Sequence, residues 1–395
     1  MAAHTCSFFA LLLTIGHVAA TGRRPRFEPL PMCLDCVPYE EIVAHGIGFD
    51  LTTSYATAAI RYHDGTVENL VKIDGADDYQ QLMRRKSDPA SKPKCAESHW
   101  NALQCRVSRA KRQWNKLLGR PSTPEVGTIA GLIRSLHAAV DRKTGLNSAQ
   151  KALLSVPNLP GLSYEDLQDA MEYADLKMLS THKHIGDKVS EVSAAFAGAS
   201  NGLCQHYEDI DACEDEEAAM PVSHILALSL SQKSFSAAYT YMQAAYRSVL
   251  EKEATYFDLG LQSLPSGGEN CQEEKALYWS RIRETIIDVG RASRGTLNTL
   301  LLLGEDAEDP EFIQTVQDAL RALLPNTSSD ISTILSSQKQ DRENDPLYLA
   351  ARGAAEFAKR AQEAPAGCKE PAHCAENRAA PKYFQLDQVS LREGW

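Results

Sequence analysis

"GIGFDLTTSYATAAIRY", residues 46–62, decides how this chain is read. An apolar run reaches a lone acid, Asp50, turns through Thr52, Thr53 and Ser54, and becomes apolar again at once. Apolar segments on either side of so short a polar corner predict a strand, a tight turn and a second strand. Such a turn, with a carboxylate just before it, has the form of one that holds a phosphate on its backbone N–H groups. "IRYHDGTVENLVKI" continues the pattern, because Asp64-Gly65 is the dipeptide a two-residue hairpin prefers. A three-strand meander is expected to begin the fold.

A helical section follows. "VGTIAGLIRSLHAAV" has apolar residues at helical spacing, and "SYEDLQDAMEYADLKML" opens with Ser163 and Asp166 in capping-box spacing. "SEVSAAFAGASNGL" predicts a small-residue helix able to pack closely on a neighbour. Then the opening pattern returns at residues 224–242, "HILALSLSQKSFSAAYTYM". Ser229 falls on Asp50, Ser231 on Thr52 and Phe235 near Tyr55, with one extra residue in the second turn. Helical segments again follow. A strand-turn-strand unit succeeded by helices, twice over, predicts two similar α/β lobes facing each other across a cleft. The expected organisation is a leader at 1–20, an extended lead-in at 21–44, a first lobe at 45–220, a second at 221–360 and a tail at 361–395.

The 395 residues, 43% of them hydrophobic, suffice for one large two-lobed domain. The formal charge is −11, and the chain reads as having no basic block. Nucleic acid is therefore excluded as a partner, since a phosphate-backbone binder needs clustered Lys and Arg, and a polybasic membrane patch is excluded with it. "FFALLLTIGHVAA", ending in Val18-Ala19-Ala20, reads as a cleaved secretory signal. This places the protein outside the cell or in the secretory-pathway lumen, with no stable membrane insertion after cleavage.

Cysteine usage agrees with export. Beyond Cys6 in the leader, the cysteines form close pairs: Cys33 with Cys36, Cys95 with Cys105, Cys204 with Cys213, and Cys368 with Cys374. They suggest local disulfides of undetermined connectivity and leave Cys271 over. "CLDC" at 33–36 has redox spacing but sits between prolines before a strand, which favours a structural role. Asn326 heads a glycosylation sequon. His182 and His184 are two ligands without a third, and the acidic stretch 207–220 reads as a solvated loop.

The order of motifs resembles the nucleotide-binding domain of the actin, sugar-kinase and seventy-kilodalton heat-shock chaperone superfamily, the chaperone branch most closely. "FDLTTSYA" is similar to that branch's first phosphate loop, D-L-G-T-T, and "ILALSLSQKSFSAA" stands in place of the second, D-L-G-G-G-T-F-D. "ALLSVPNLPGLSYEDLQDAMEYADLKML" resembles the strand V-T-V-P-A and its long helix. "SEVSAAFAGASNGL" resembles the connecting helix, "LLLLGEDAEDPEF" the adenosine turn, and "DPLYLAARGAAEFA" the closing helix. The resemblance covers about residues 45–360 and leaves no counterpart to the chaperones' peptide-binding domain. It implies an α/β fold of two ribonuclease-H-like lobes flanking a central cleft.

For the site, the resemblance implies Asp50 as a metal-side carboxylate, only if Mg²⁺ is bound, and Glu191 as the acid of the connecting helix. It places Thr52, Thr53, Ser54, Lys233, Ser234 and Gly304 around a nucleotide. The departures weigh against chemistry. Thr52 replaces a glycine, Ser229 a carboxylate, Ser231-Gln232-Lys233 three glycines, and Glu305 a fourth. Lys72 comes too early to be the family's catalytic lysine. The expectation is a non-catalytic, chaperone-like pseudo-ATPase with no cofactor, binding a protein or small ligand. Its alternatives are an ATP- and Mg-dependent ATPase of the endoplasmic-reticulum lumen and a small-molecule kinase.

Overall fold

The computed structural model describes residues 31–92, 102–145, 150–180, 187–267, 270–294, 296–324, 345–365 and 367–378. The leader, Cys95, His182, His184 and Asn326 lie outside the described residues.

The opening stretch forms β1 (Gly46–Leu51) and β2 (Tyr55–Arg61), antiparallel, followed by β3 (Val67–Asp74). Gly65, at φ +99°, makes the second turn. The helices α2 (Asp77–Lys86), α3 (Ala102–Leu117) and α4 (Pro124–Thr144) then lead to β4 (Lys151–Val156), which lies parallel to β1. A short α1 (Tyr39–Val43) precedes them all, so the lead-in is not extended throughout.

After β4 come α5 (Tyr164–Tyr173), β5 (Lys177–Met178), β6 (Val189–Ser190), α6 (Glu191–Gly198) and α7 (Ile210–Ala219). Ser163 caps α5 by accepting from the Asp166 N–H, but the Asp166 carboxylate is taken by Arg112 rather than reaching back. The acidic stretch expected as a loop is largely α7, tied at one end by Cys204–Cys213. The first sheet runs β3-β2-β1-β4-β5, with β6 beside β4.

The second half builds β7 (Ser223–Leu230), β8 (Phe235–Met242), β9 (Ser248–Tyr256), α8 (Cys271–Gly290), β10 (Thr299–Leu303), α9 (Pro310–Leu323) and α10 (Leu349–Glu363). Its sheet order is β10-β7-β8-β9, with β7–β8 and β8–β9 antiparallel and β10 parallel to β7. The meander and its parallel neighbour thus occur twice. Asp50 pairs with Thr57, and Ser229 with Ser236. Both pairs enclose the same number of residues, so the two turns have equal length and the extra residue expected in the second does not exist. Ser234 therefore corresponds to Tyr55, and Phe235 to Ala56.

The chain is mixed α/β, with two mixed sheets and helices packed on both. Alternation along the strands explains the layering. Ile47, Phe49 and Leu51 point into one core with α4 and α5, and Leu226, Leu228 and Leu230 into another with α8 and α9. Between the sheets, Ile225, Ala227, Leu153 and Leu301 pack on α6 and α10. Although it lies in the stretch assigned by sequence to the second lobe, α10 also packs directly on β1: a Cβ added at Gly48 would lie 2.3 Å from the Ala351 carbonyl oxygen.

Cys204 bonds Cys213 as its spacing suggested, but the disulfides at the two ends correct the expected local pairing. Cys33 bonds Cys368 and Cys36 bonds Cys374, so the lead-in is stapled to the tail. The Cys33 N–H also donates to the Lys369 carbonyl at 2.9 Å, and the Val37 N–H to Glu370 at 2.7 Å. Neither "CLDC" cysteine pairs with the other. Among the described residues no helix is long and apolar enough to cross a membrane.

Candidate functional site

The two turns approach each other. Thr53 Oγ1 and Ser234 Oγ lie 2.7 Å apart in a buried hydrogen bond that joins the first hairpin to the second. Within each turn the backbone is satisfied internally and by the same device. Thr52 Oγ1 accepts from the Ser54 and Tyr55 N–H groups at 3.2 and 3.0 Å, while the Thr52 N–H donates to the Tyr55 carbonyl. Ser231 Oγ accepts from the Lys233 and Ser234 N–H groups at 3.3 and 3.1 Å, while the Ser231 N–H donates to the Ser234 carbonyl. A hydroxyl at the first position of a turn commonly serves its own backbone in this way.

Thr52 carries no strain, since it is absent from the positive-φ residues. The turn therefore does not need a glycine's freedom at this position. Gly304 differs: it stands at φ +98°, and a Cβ there would lie 2.2 Å from the Leu230 carbonyl oxygen. Beside it, Glu305 accepts from the Gln232 N–H at 3.1 Å and pairs with Lys72 at 2.5 Å. Lys72, unassigned by sequence, also lies 5.0 Å over the Tyr55 ring. A carboxylate of the chain itself thus sits at the second turn, and β3 is clamped to the residues after β10. Lys233 is half-buried.

Asp50, at the end of β1, is 2% exposed and accepts from Ser155 Oγ at 2.8 Å. Burial raises its carboxyl well above the ordinary range, against the lowering effect of the Ser155 bond. Glu191, the first residue of α6, is raised by burial and then by Asp50. The structure therefore brings the two sequence-nominated acids together in a low-dielectric pocket where protonation is favoured. Thr57, opposite Asp50 in the register, has a buried Oγ1 without a hydrogen-bond partner among the described residues.

A cavity of about 200 Å³ opens beside this cluster, between the loops after β4 and the β8–β9 face. Glu191, Ser229, Ser236, Thr240, Lys188 and Glu253 contribute to its wall. Thr52, Thr53, Ser54, Lys233, Ser234 and Gly304 do not line it, so of the nominated residues only Glu191 faces this space. Lys188 Nζ turns away to donate to the Leu162 carbonyl at 2.7 Å, and burial lowers its pKa. Burial raises Glu253, which accepts from Asn158 at 3.0 Å. Ser155, Lys188 and Glu253 escaped the sequence reading because nothing in their local pattern distinguishes them from ordinary strand and loop residues.

No family model matches this chain, and a search of the curated proteins finds no match to it either.

Proposed function

We propose that this chain is a pseudo-ATPase of the secretory pathway, a chaperone-like α/β scaffold that binds a protein or small ligand without phosphoryl transfer. The observation that carries the reading is the Thr53–Ser234 hydrogen bond, which closes the space between the two turns where the resemblance puts the phosphates. A phosphate cradle needs free backbone donors and close approach. Four turn amides are instead bonded to Thr52 and Ser231, and a fifth, that of Gln232, to Glu305. Glu305 would repel an anionic ligand that the family's glycine admits. Ser229 supplies no charge for a metal. Two sheets sharing one strand arrangement support the duplicated, two-lobed fold that the resemblance implies, and the disulfides support an oxidising compartment.

A second reading, an ATP-hydrolysing chaperone-like enzyme of the endoplasmic-reticulum lumen, is favoured by one cluster only. Asp50, Glu191 and the unpartnered Thr57 hydroxyl form a buried polar group of the kind that can hold the waters of a bound cation.

One experiment separates the two. The oxidised chain lacking residues 1–20 is unfolded thermally with and without millimolar Mg·ATP and Mg·ADP. A ligand at about a hundred times its Kd stabilises a folded protein by about 2.7 kcal/mol, a shift of a few degrees at this size. No shift is expected. A reproducible shift abolished by Asp50→Ala would overturn the proposal.

A further inference from the structure

The helix α3 meets the body through ion pairs on an inner face that also carries Cys105, which is buried and disulfide-bonded. It contributes no residue to the apolar clusters of the core. Instead Arg112 grips Asp166 at 2.8 Å and Asp169 at 2.6 Å, and Lys116 reaches Asp169 at 3.0 Å and Glu172 at 2.6 Å. At about 100° per residue, Cys105, Arg112 and Lys116 share one face of the helix.

The opposite face is apolar and faces outward. Leu103, Val107, Ala110, Trp114, Leu117 and Leu118 form a stripe about 100° wide. Leu103 is 75% exposed, Val107 62%, Trp114 64% and Leu117 81%. By the same geometry Arg106 and Lys111 stand on the two edges of the stripe. Arg109 lies further round, and Arg120 just beyond the helix end. All four are exposed, and none has an ion-pair partner among the described residues. Residues 102–120 contain six Lys or Arg and no Asp or Glu, which corrects the reading of a chain without a basic block: the overall charge of −11 hides this local run.

We propose that α3 is an interfacial helix that lays this stripe on a bilayer surface bearing anionic headgroups. The arrangement has an apolar face with a tryptophan, cations along both edges whose stems can reach up to headgroups, and no acid to repel them. Arg106 and Lys111, one on each edge of the stripe, complement the anionic headgroups that surround a helix lying in the interface, and residues 102–120 hold no acid to oppose them. The charge of −11 on the whole chain does not oppose this, because salt screens charges beyond about 8–10 Å. The helix lies on the bilayer and does not cross it. This inference is independent of the nucleotide question, since α3 contributes nothing to the two turns.

The test is flotation of the oxidised chain lacking residues 1–20 with vesicles of phosphatidylcholine, alone or with phosphatidylserine at about one lipid in three, followed also by tryptophan emission. Binding to the mixed vesicles that weakens with salt is expected. Val107→Glu with Leu117→Glu should lower partitioning at least about tenfold while leaving the unfolding temperature unchanged, because both side chains are exposed. Arg106→Glu with Lys111→Glu should lower it on the anionic vesicles only. Absence of flotation with folded protein overturns the proposal, as does flotation indifferent to Val107→Glu and Leu117→Glu. It is equally overturned if light scattering shows an oligomer that Leu117→Glu converts to monomer, which would mean that a second copy covers the stripe.

Discussion

Thr52 and Ser231 open equivalent hairpins, and each uses its hydroxyl on the two amides behind it. Their effect is local: donors that could face a ligand are turned inward. Asp50 shows the other residue-scale consequence of a closed site, since a carboxyl out of reach of water holds its proton. Asp50 is raised to about 7. A carboxyl whose folded pKa lies above its unfolded value stabilises the fold fully below the unfolded pKa and loses that contribution as pH rises through the folded one. Between the ordinary carboxylate range and neutrality, stability should therefore fall with pH, at up to about 1.4 kcal/mol per pH unit for each proton involved. Asp50→Asn should flatten that fall when denaturant midpoints are measured across the window, whereas an unchanged slope would remove Asp50 as its source.

At the scale of elements, the close crossing of α6 and α10 joins the two sheets. It depends on small residues: a Cβ added at Gly353 would lie 1.7 Å from the Ala194 carbonyl oxygen. Two effects oppose each other in Gly353→Ala. Helix propensity favours alanine by about 1 kcal/mol, while overpacking a rigid backbone contact costs about 1–3 kcal/mol or more. The clash wins, because the obstructing atom is backbone and cannot rotate away. Gly353→Ala should lower the unfolding free energy by about 1–2 kcal/mol in urea titrations, and a stabilised variant would show that the helices can part. The small-residue run "SEVSAAFAGASNGL" announced this helix and its close packing. It did not announce the partner, because α10 lies some 150 residues later and its choice of neighbour is a long-range contact.

Across the whole molecule, the ends of the fold are held by two disulfides with sequence separations of 335 and 338. By loop-closure entropy the first to close contributes about 6 kcal/mol, while the second, closing a ring of roughly ten residues within it, contributes about 3 kcal/mol. Either Cys33→Ser with Cys368→Ser or Cys36→Ser with Cys374→Ser alone should thus cost about 3 kcal/mol, since the surviving bridge still holds the long loop. Removing both should cost clearly more than the sum of the two, read from chemical unfolding of all three variants. Strict additivity would mean that the tail and lead-in dock firmly without either bond. Close spacing in the sequence pointed to Cys33–Cys36 and Cys368–Cys374 instead. Proximity along the chain says little about proximity in space once a fold returns its terminus to its start.

The two meanders and the helices α4, α5 and α6 were legible in local patterns that each segment carries within itself, such as the Asp64-Gly65 turn, the Ser163 cap and the repeat of residues 46–62 at 224–242, whereas α1 and α7 were read as extended chain and loop. Asp50 and Glu191 could be nominated as a pair from the sequence, and the structure does bring them together. The tertiary structure alone decided the rest. It set the equal length of the two turns, the Thr53–Ser234 bond and the Lys72–Glu305 clamp. It also decided which cysteines meet, and that the cationic residues 106–120 present an apolar stripe outward rather than inward. Each of these depends on distances between segments far apart in the chain, which are fixed by how two sheets pack on α6 and α10 and not by the composition of either segment.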